Sequence, residues 1–211
     1  MNRLSPPPIR RRAAGLVAAV TTVALSFVPS AQAVEPTVNA ACDGQVAEQP
    51  FMPWVDPASY VLVPNGTVER SAGWAVEGGA ARTAGNEIYH VHGEDDASSL
   101  ALPPGSSATT APMCVGLEHP TLRLFVRNRG SMLSSLRVEV LFEDATGQSR
   151  TVPIGDVFGS SVWLPTPPLA VVANLLSLRP DEHVDVAFRF TPQGAGHWSV
   201  DDVYVDPFRH G

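Results

Sequence analysis

Apolar and polar residues alternate with a period of two through much of the chain. Thr121 to Asn128 sets Leu122, Leu124 and Val126 on one face and Arg123, Phe125 and Arg127 on the other. Leu136 to Glu143 sets Leu136, Val138, Val140 and Phe142 inward, with Arg137, Glu139, Leu141 and Glu143 outward. Val184 to Phe190 opposes Val184, Val186, Phe188 and Phe190 to Asp185, Ala187 and Arg189. This spacing predicts half-buried strands. In the last segment Trp198 and Val200 share a face with Val203 and Val205, so the phase slips by one at Asp201-Asp202 and predicts a β-bulge. Shorter strands are expected at Tyr60 to Val63, Trp74 to Val76, Glu87 to Val91, Ser98 to Leu102, Ala108 to Val115 and Arg150 to Ile154. Gly- and Pro-rich turns separate them, and only Leu169 to Leu178 has room for a helical turn or two. Many short strands with one apolar face predict an all-β fold: a two-sheet antiparallel β-sandwich, a jelly roll.

The N-terminus follows a different pattern. Arg10-Arg11-Arg12 leads into Ala13 to Val28, which carries no charge, and then Ala31-Gln32-Ala33. This reads as a signal peptide over residues 1–33, cleaved between Ala33 and Val34; the apolar run falls short of the roughly 20 residues that cross a bilayer. An N-terminal arm over 34–59 and a sandwich domain over 60–211 follow. The expected localisation is secreted or extracytoplasmic, with no membrane span after cleavage. Two cysteines, Cys42 and Cys114, suit a disulfide in an oxidising compartment. In the chain-entropy description such a bridge contributes about 4 kcal/mol.

Charge narrows the partners. The chain has 14 basic residues, all Arg, against 21 acidic ones, for a net charge of −7. Four of the Arg precede Ala33 and no acid does, so the remainder is more acidic still. Such a body does not hold a polyanion by charge, which argues against nucleic acid.

Two segments carry a family resemblance. Pro64-Asn65-Gly66-Thr67-Val68-Glu69 is followed by Gly73-Trp74, and Trp198-Ser199-Val200-Asp201-Asp202-Val203-Tyr204-Val205 closes the chain. Together they resemble jelly-roll carbohydrate-binding modules of galactose-binding-like fold, which open with N-G-x-F-E and G-W and close on D-D-V; Val68 stands in place of the usual Phe. The chain as a whole also resembles secreted proteins of high-GC bacteria, a likeness that implies no activity. The module resemblance implies a structural Ca²⁺ between the first and last strands, near Glu69, Asp201 and Asp202. Hard oxygen ligands suit that ion, and a bulge frees carbonyls to join them. The alternatives are an acidic turn without an ion, or Glu69 paired with an Arg.

Arg123, Phe125, Arg127, Arg137, Glu139 and Arg189 all point away from the inner face. If their strands are neighbours, they form one Arg-rich face able to hold sugar hydroxyls or carboxylates, with an aromatic ring to stack on a pyranose. The alternative is a cross-strand Arg–Glu ladder. Trp163, in a Pro-rich loop, and Trp54 are stacking platforms or plugs under their loops. His90 and His92 would share a strand face and could reach one metal, but the surrounding residues depart from known zinc-hydrolase spacing. No nucleophile elbow, phosphate loop or dinucleotide fingerprint occurs. The expected function is non-catalytic binding of a polysaccharide or cell-surface glycan. A structural envelope protein without a small ligand is the alternative, and a metal-dependent hydrolase a distant one.

Overall fold

The computed structural model describes residues 44–115, 121–144, 146–171 and 184–206. The expected signal peptide over 1–33, its cleavage site at Ala33-Val34 and Cys42 lie outside the described residues.

In chain order the strands are β1 (Ala47–Glu48), β2 (Tyr60–Leu62), β3 (Trp74–Glu77), β4 (Ala81–Ala84), β5 (Ser98–Leu102), β6 (Ser107–Thr110) and β7 (Met113–Val115). They continue with β8 (Thr121–Asn128), β9 (Ser135–Glu143), β10 (Ser149–Val157), β11 (Leu164–Pro165), β12 (Leu169–Ala170), β13 (Val184–Gln193) and β14 (Trp198–Asp206). A 3-10 turn spans Met52–Trp54. One sheet runs β1-β2-β14-β5-β4, with β8 on the other side of β14 and β11 and β12 beyond β8. The second runs β10-β9-β13-β6-β3, with β7 also on β13. All pairings are antiparallel. The all-β two-sheet fold is as expected, and among the described residues no helix is long and apolar enough to cross a membrane.

The inner faces are those the alternation assigns. Leu122, Leu124 and Val126 of β8 pack with Val200, Val203 and Val205 of β14 against Val138, Val140, Phe188 and Phe190 of the second sheet. The bulge is present: β14 changes register against β8 between Asp201 and Tyr204, and Asp202 adopts φ 45°. Several segments differ from expectation. Glu87–Val91 is a turn, because the Glu87 carboxylate accepts the Tyr89 and Val91 N–H groups and His90 takes φ 50°. Ala108–Val115 is two strands, since Pro112 has no N–H with which to continue the ladder. Leu169–Ala170 is a strand edge, not a helical turn; residues 172–178 are outside the described residues. β1, β4 and β11 carry no alternation long enough to read.

The N-G and G-W motifs have a structural task. Asn65, at φ 56°, donates from Nδ2 to the Arg70 and Ala72 carbonyls, and its Oδ1 accepts the Arg70 N–H. Trp74 Nε1 donates to the Asn65 carbonyl. The Gly66 carbonyl accepts the Val203 N–H, the Val203 carbonyl accepts the Val63 N–H, and a Cβ on Gly66 would lie 2.7 Å from the Val203 oxygen. The opening turn is thus stapled to the closing strand.

Candidate functional site

The six outward candidates lie on two surfaces. β8 belongs to the first sheet, β9 and β13 to the second, so the single Arg-rich face expected from the sequence does not form. The outer face of β8 is itself covered. Arg123 is buried, donates from Nε to the Thr166 carbonyl at 2.9 Å, pairs with Asp56 and stacks over Phe51. Phe125 is fully buried in a second apolar cluster with Phe51, Tyr60, Trp163 and Tyr204. Arg127 stacks over the Trp163 ring at 4.6 Å and donates to Ser199 Oγ. Trp163 is only 2% exposed, so it is a plug rather than a platform. Trp54 is half-buried against Phe125 and Tyr89.

Arg137, Glu139 and Arg189 stay together on the outer face of the second sheet. Because Val138, Val140, Phe188 and Phe190 point inward, alternation drives residues 137, 139, 141, 189, 191 and 193 outward. Registration then aligns Ala75, Thr109, Arg189 and Glu139 in one row across β3, β6, β13 and β9. Thr191 and Arg137 form the next. These rows floor a cleft of about 610 Å³, walled by Gly78, Gly105 and Ser106 of two turns. Arg189 and Glu139 pair across strands at 3.9 Å, and Arg137 pairs with Asp156 at 3.2 Å. The ladder alternative therefore holds in part, but the first pair is long enough to leave hydrogen-bonding capacity on both partners. The cleft combines guanidinium donors, carboxylate acceptors (Glu77, Glu139) and side chains that do both (Ser107, Thr109, Thr191, Gln193); among the described residues no aromatic ring lines it. Thr191 and Gln193 could have been found by carrying the β13 alternation past Phe190.

The acidic residues of the bulge are also resolved. Asp201 and Asp202 are both fully buried. Asp201 accepts from the Glu87 and Asp202 backbone N–H groups. Among the described residues, neither carboxylate oxygen of Asp202 meets an N–H or hydroxyl donor, its polar neighbour being the Glu87 carboxyl, and Oδ2 of Asp96 and the side-chain amide of Asn86 have no hydrogen-bond partner. Burial raises both bulge carboxyls, Asp201 to about 9 with the Asp202 charge adding to it, and Asp202 to about 8 with Glu87 adding to it. Glu69 is engaged otherwise: Oε1 accepts the Ala97 and Ser98 N–H groups at 2.7 Å, and Oε2 faces Arg82 at 3.4 Å. Among the described residues no three His, Cys, Asp or Glu side chains form a group that could hold a metal. A cation here would rest on Asp202 with carbonyl oxygens. His90 lies in the turn, and His92 meets Glu48 at 3.4 Å and the Tyr204 hydroxyl at 3.3 Å. Cys114 is buried in β7 and is not a free thiol.

No protein-family model matches the chain, and no curated protein matches it by sequence. Solved structures do. The chain matches part of a structure that holds the CBM22-1 and GH10 modules of Clostridium thermocellum endo-1,4-β-D-xylanase 10B complexed with xylohexaose, at 17% identity and TM-score 0.50; the match covers 71% of this chain and 29% of that one. A xylan-binding domain of Paenibacillus barcinonensis matches at 12% identity and TM-score 0.44, over 66% of this chain and 88% of that one. A family 61 module in complex with β-1,4-galactotriose matches at 16% and 0.40, over 69% and 97%. The likeness to high-GC secreted proteins finds no support among them. At such identities the likeness is one of fold alone, and the first match supports the two-sheet jelly roll read from the sequence.

Proposed function

We propose that the protein is a secreted, non-catalytic domain that binds polysaccharide in the cleft of the second sheet. The observation that carries this reading is the outward row Thr109, Arg189 and Glu139, open to solvent above a fully packed core. Hydroxyls both donate and accept, and the cleft offers matched partners for each. Without a stacking ring, the contact is hydrogen-bonded and weak, since each net bond contributes only about 1 kcal/mol. The similar structure complexed with xylohexaose agrees with a glycan as ligand class. Affinity electrophoresis through gels carrying xylan, galactan or host-wall polysaccharides tests this: retardation by at least one is expected, and free migration through all of them removes the reading.

We also infer that Asp202 anchors a structural Ca²⁺. Its two unpaired buried oxygens support this, because a buried carboxylate needs a proton or a cation. When bound, the ion would supply positive charge to the bulge and satisfy those oxygens. It would also raise the melting midpoint by mass action as its concentration exceeds its dissociation constant. Melts in excess Ca²⁺ against EDTA should show that rise, and Asp202→Asn should abolish it. Equal midpoints with and without the ion would leave the bulge as geometry alone.

A further inference from the structure

One end of the sandwich presents apolar side chains that the fold does not use. Met132 is 84% exposed, Leu133 95% and Phe158 73%; Val162 is also exposed. Met132 and Leu133 are the two central residues of a turn closed by the Ser134 N–H on the Ser131 carbonyl. Gly, Asn, Asp, Pro and Ser fill such positions for backbone reasons, and none of those reasons applies to Met-Leu.

The turn is built to hold them out. Buried Asn128 donates from Nδ2 to the Ser131 carbonyl at 2.8 Å and to Ser134 Oγ at 2.9 Å, while its Oδ1 accepts the Gly130 N–H. Ser131 Oγ accepts the Leu133 N–H. Backbone bonds join this turn to its neighbours: Asn128 N–H to Ser160, Arg129 N–H to His197 and Ser131 N–H to Ala195. Gly159, next to Phe158, lies so close to Trp198 that a Cβ would come within 2.7 Å of the ring. The loops bearing Met132, Leu133 and Phe158 therefore form one rigid end.

The charge of that end is opposite to that of the chain. Segments 128–134, 157–164 and 194–200 contain no Asp or Glu, in a chain with 21 of them. Their charged or titratable side chains are Arg129 and His197, both exposed. Of the acids that border these segments, Asp156 is paired with Arg137 and Asp201 is fully buried in the bulge. Three prongs can bury about 500 Å² at most, below the roughly 800 Å² per partner that a stable protein interface needs. A lipid interface asks less: a few apolar side chains sunk about 5–10 Å among acyl chains, with a cation at the headgroups.

We propose that this end docks on an anionic lipid surface, with Met132, Leu133 and Phe158 inserted and Arg129 at the phosphates. The test is flotation of the full chain with vesicles of phosphatidylcholine alone or with a minority of phosphatidylglycerol. Wild type should float with the anionic vesicles, and less so in about 0.5 M salt. The triple variant Met132→Ser/Leu133→Ser/Phe158→Ser should bind at least about tenfold more weakly, and Arg129→Gln about fivefold. Both carry the same Ala13–Val28 stretch, so equal flotation of wild type and triple variant overturns the proposal. In Leu133→Trp, brominated acyl chains should quench the added fluorescence; an unquenched signal also overturns it. A wild-type dimer in sedimentation velocity that the triple variant dissolves, without flotation, would make this end a self-association surface instead.

Discussion

Arg123 shows how far a single outward position can be read. Its place opposite Leu122 and Leu124 is plain in the alternation, but the sequence does not tell which sheet β8 joins or what lies over it. The clue available was Phe125, an apolar residue in the same outward set, now found sealed beside Phe51 and Tyr204. Burial alone would raise Asp56, but hydrogen bonds from Tyr60 and Ala58 and the Arg123 guanidinium outweigh it and hold the carboxyl below its ordinary 3.8. A carboxyl so lowered stabilises the fold above its unfolded pKa, and the contribution is lost as pH falls through the folded value. Asp56→Asn should therefore lower the melting midpoint at pH 6, and the gap to wild type should narrow by pH 3. Arg123→Met should cost about 2–3 kcal/mol in denaturant melts, less than a fully buried pair because Asp56 keeps some solvent.

At the scale of elements, the long alternating strands β8, β9, β13 and β14 were legible because each sets apolar residues at every second position toward the core, which fixes register, although the other faces of β8 and β14 are covered too. Short or locally capped segments were not. The 86–92 turn is decided by one side chain, Glu87, accepting from two amides, a contact no periodicity announces. The bulge was legible from its phase slip; its partner on the other side was not, since Glu69 serves the Ala97 and Ser98 amides rather than Asp202. The opening turn and the bulge act as one unit. Gly66→Ala should lower stability by about 1–3 kcal/mol, as its methyl would press on the Val203 oxygen. Urea melts would show it as a lower midpoint at unchanged slope.

For the whole molecule, the sequence predicted a two-sheet jelly roll and a binding role. It could not sort Arg123, Phe125 and Arg127 from Arg137, Glu139 and Arg189, because sheet membership depends on pairing between distant segments. Once the strands are sorted, the first group seals a second apolar cluster and the second group floors the cleft. The expected Cys42–Cys114 bridge belongs to this scale too, joining the arm to β7. Non-reducing mass analysis of the native protein should find no alkylatable thiol, and two of them would exclude the bridge. The cleft itself is tested by isothermal titration of the polysaccharide that retards the protein, comparing wild type with Arg189→Ala and Arg127→Gln. Arg189→Ala should bind at least about tenfold more weakly, about 1.4 kcal/mol, and Arg127→Gln on the opposite sheet should bind as wild type. The reverse, with Arg189→Ala binding as wild type and Arg127→Gln losing affinity, would contradict binding in the cleft.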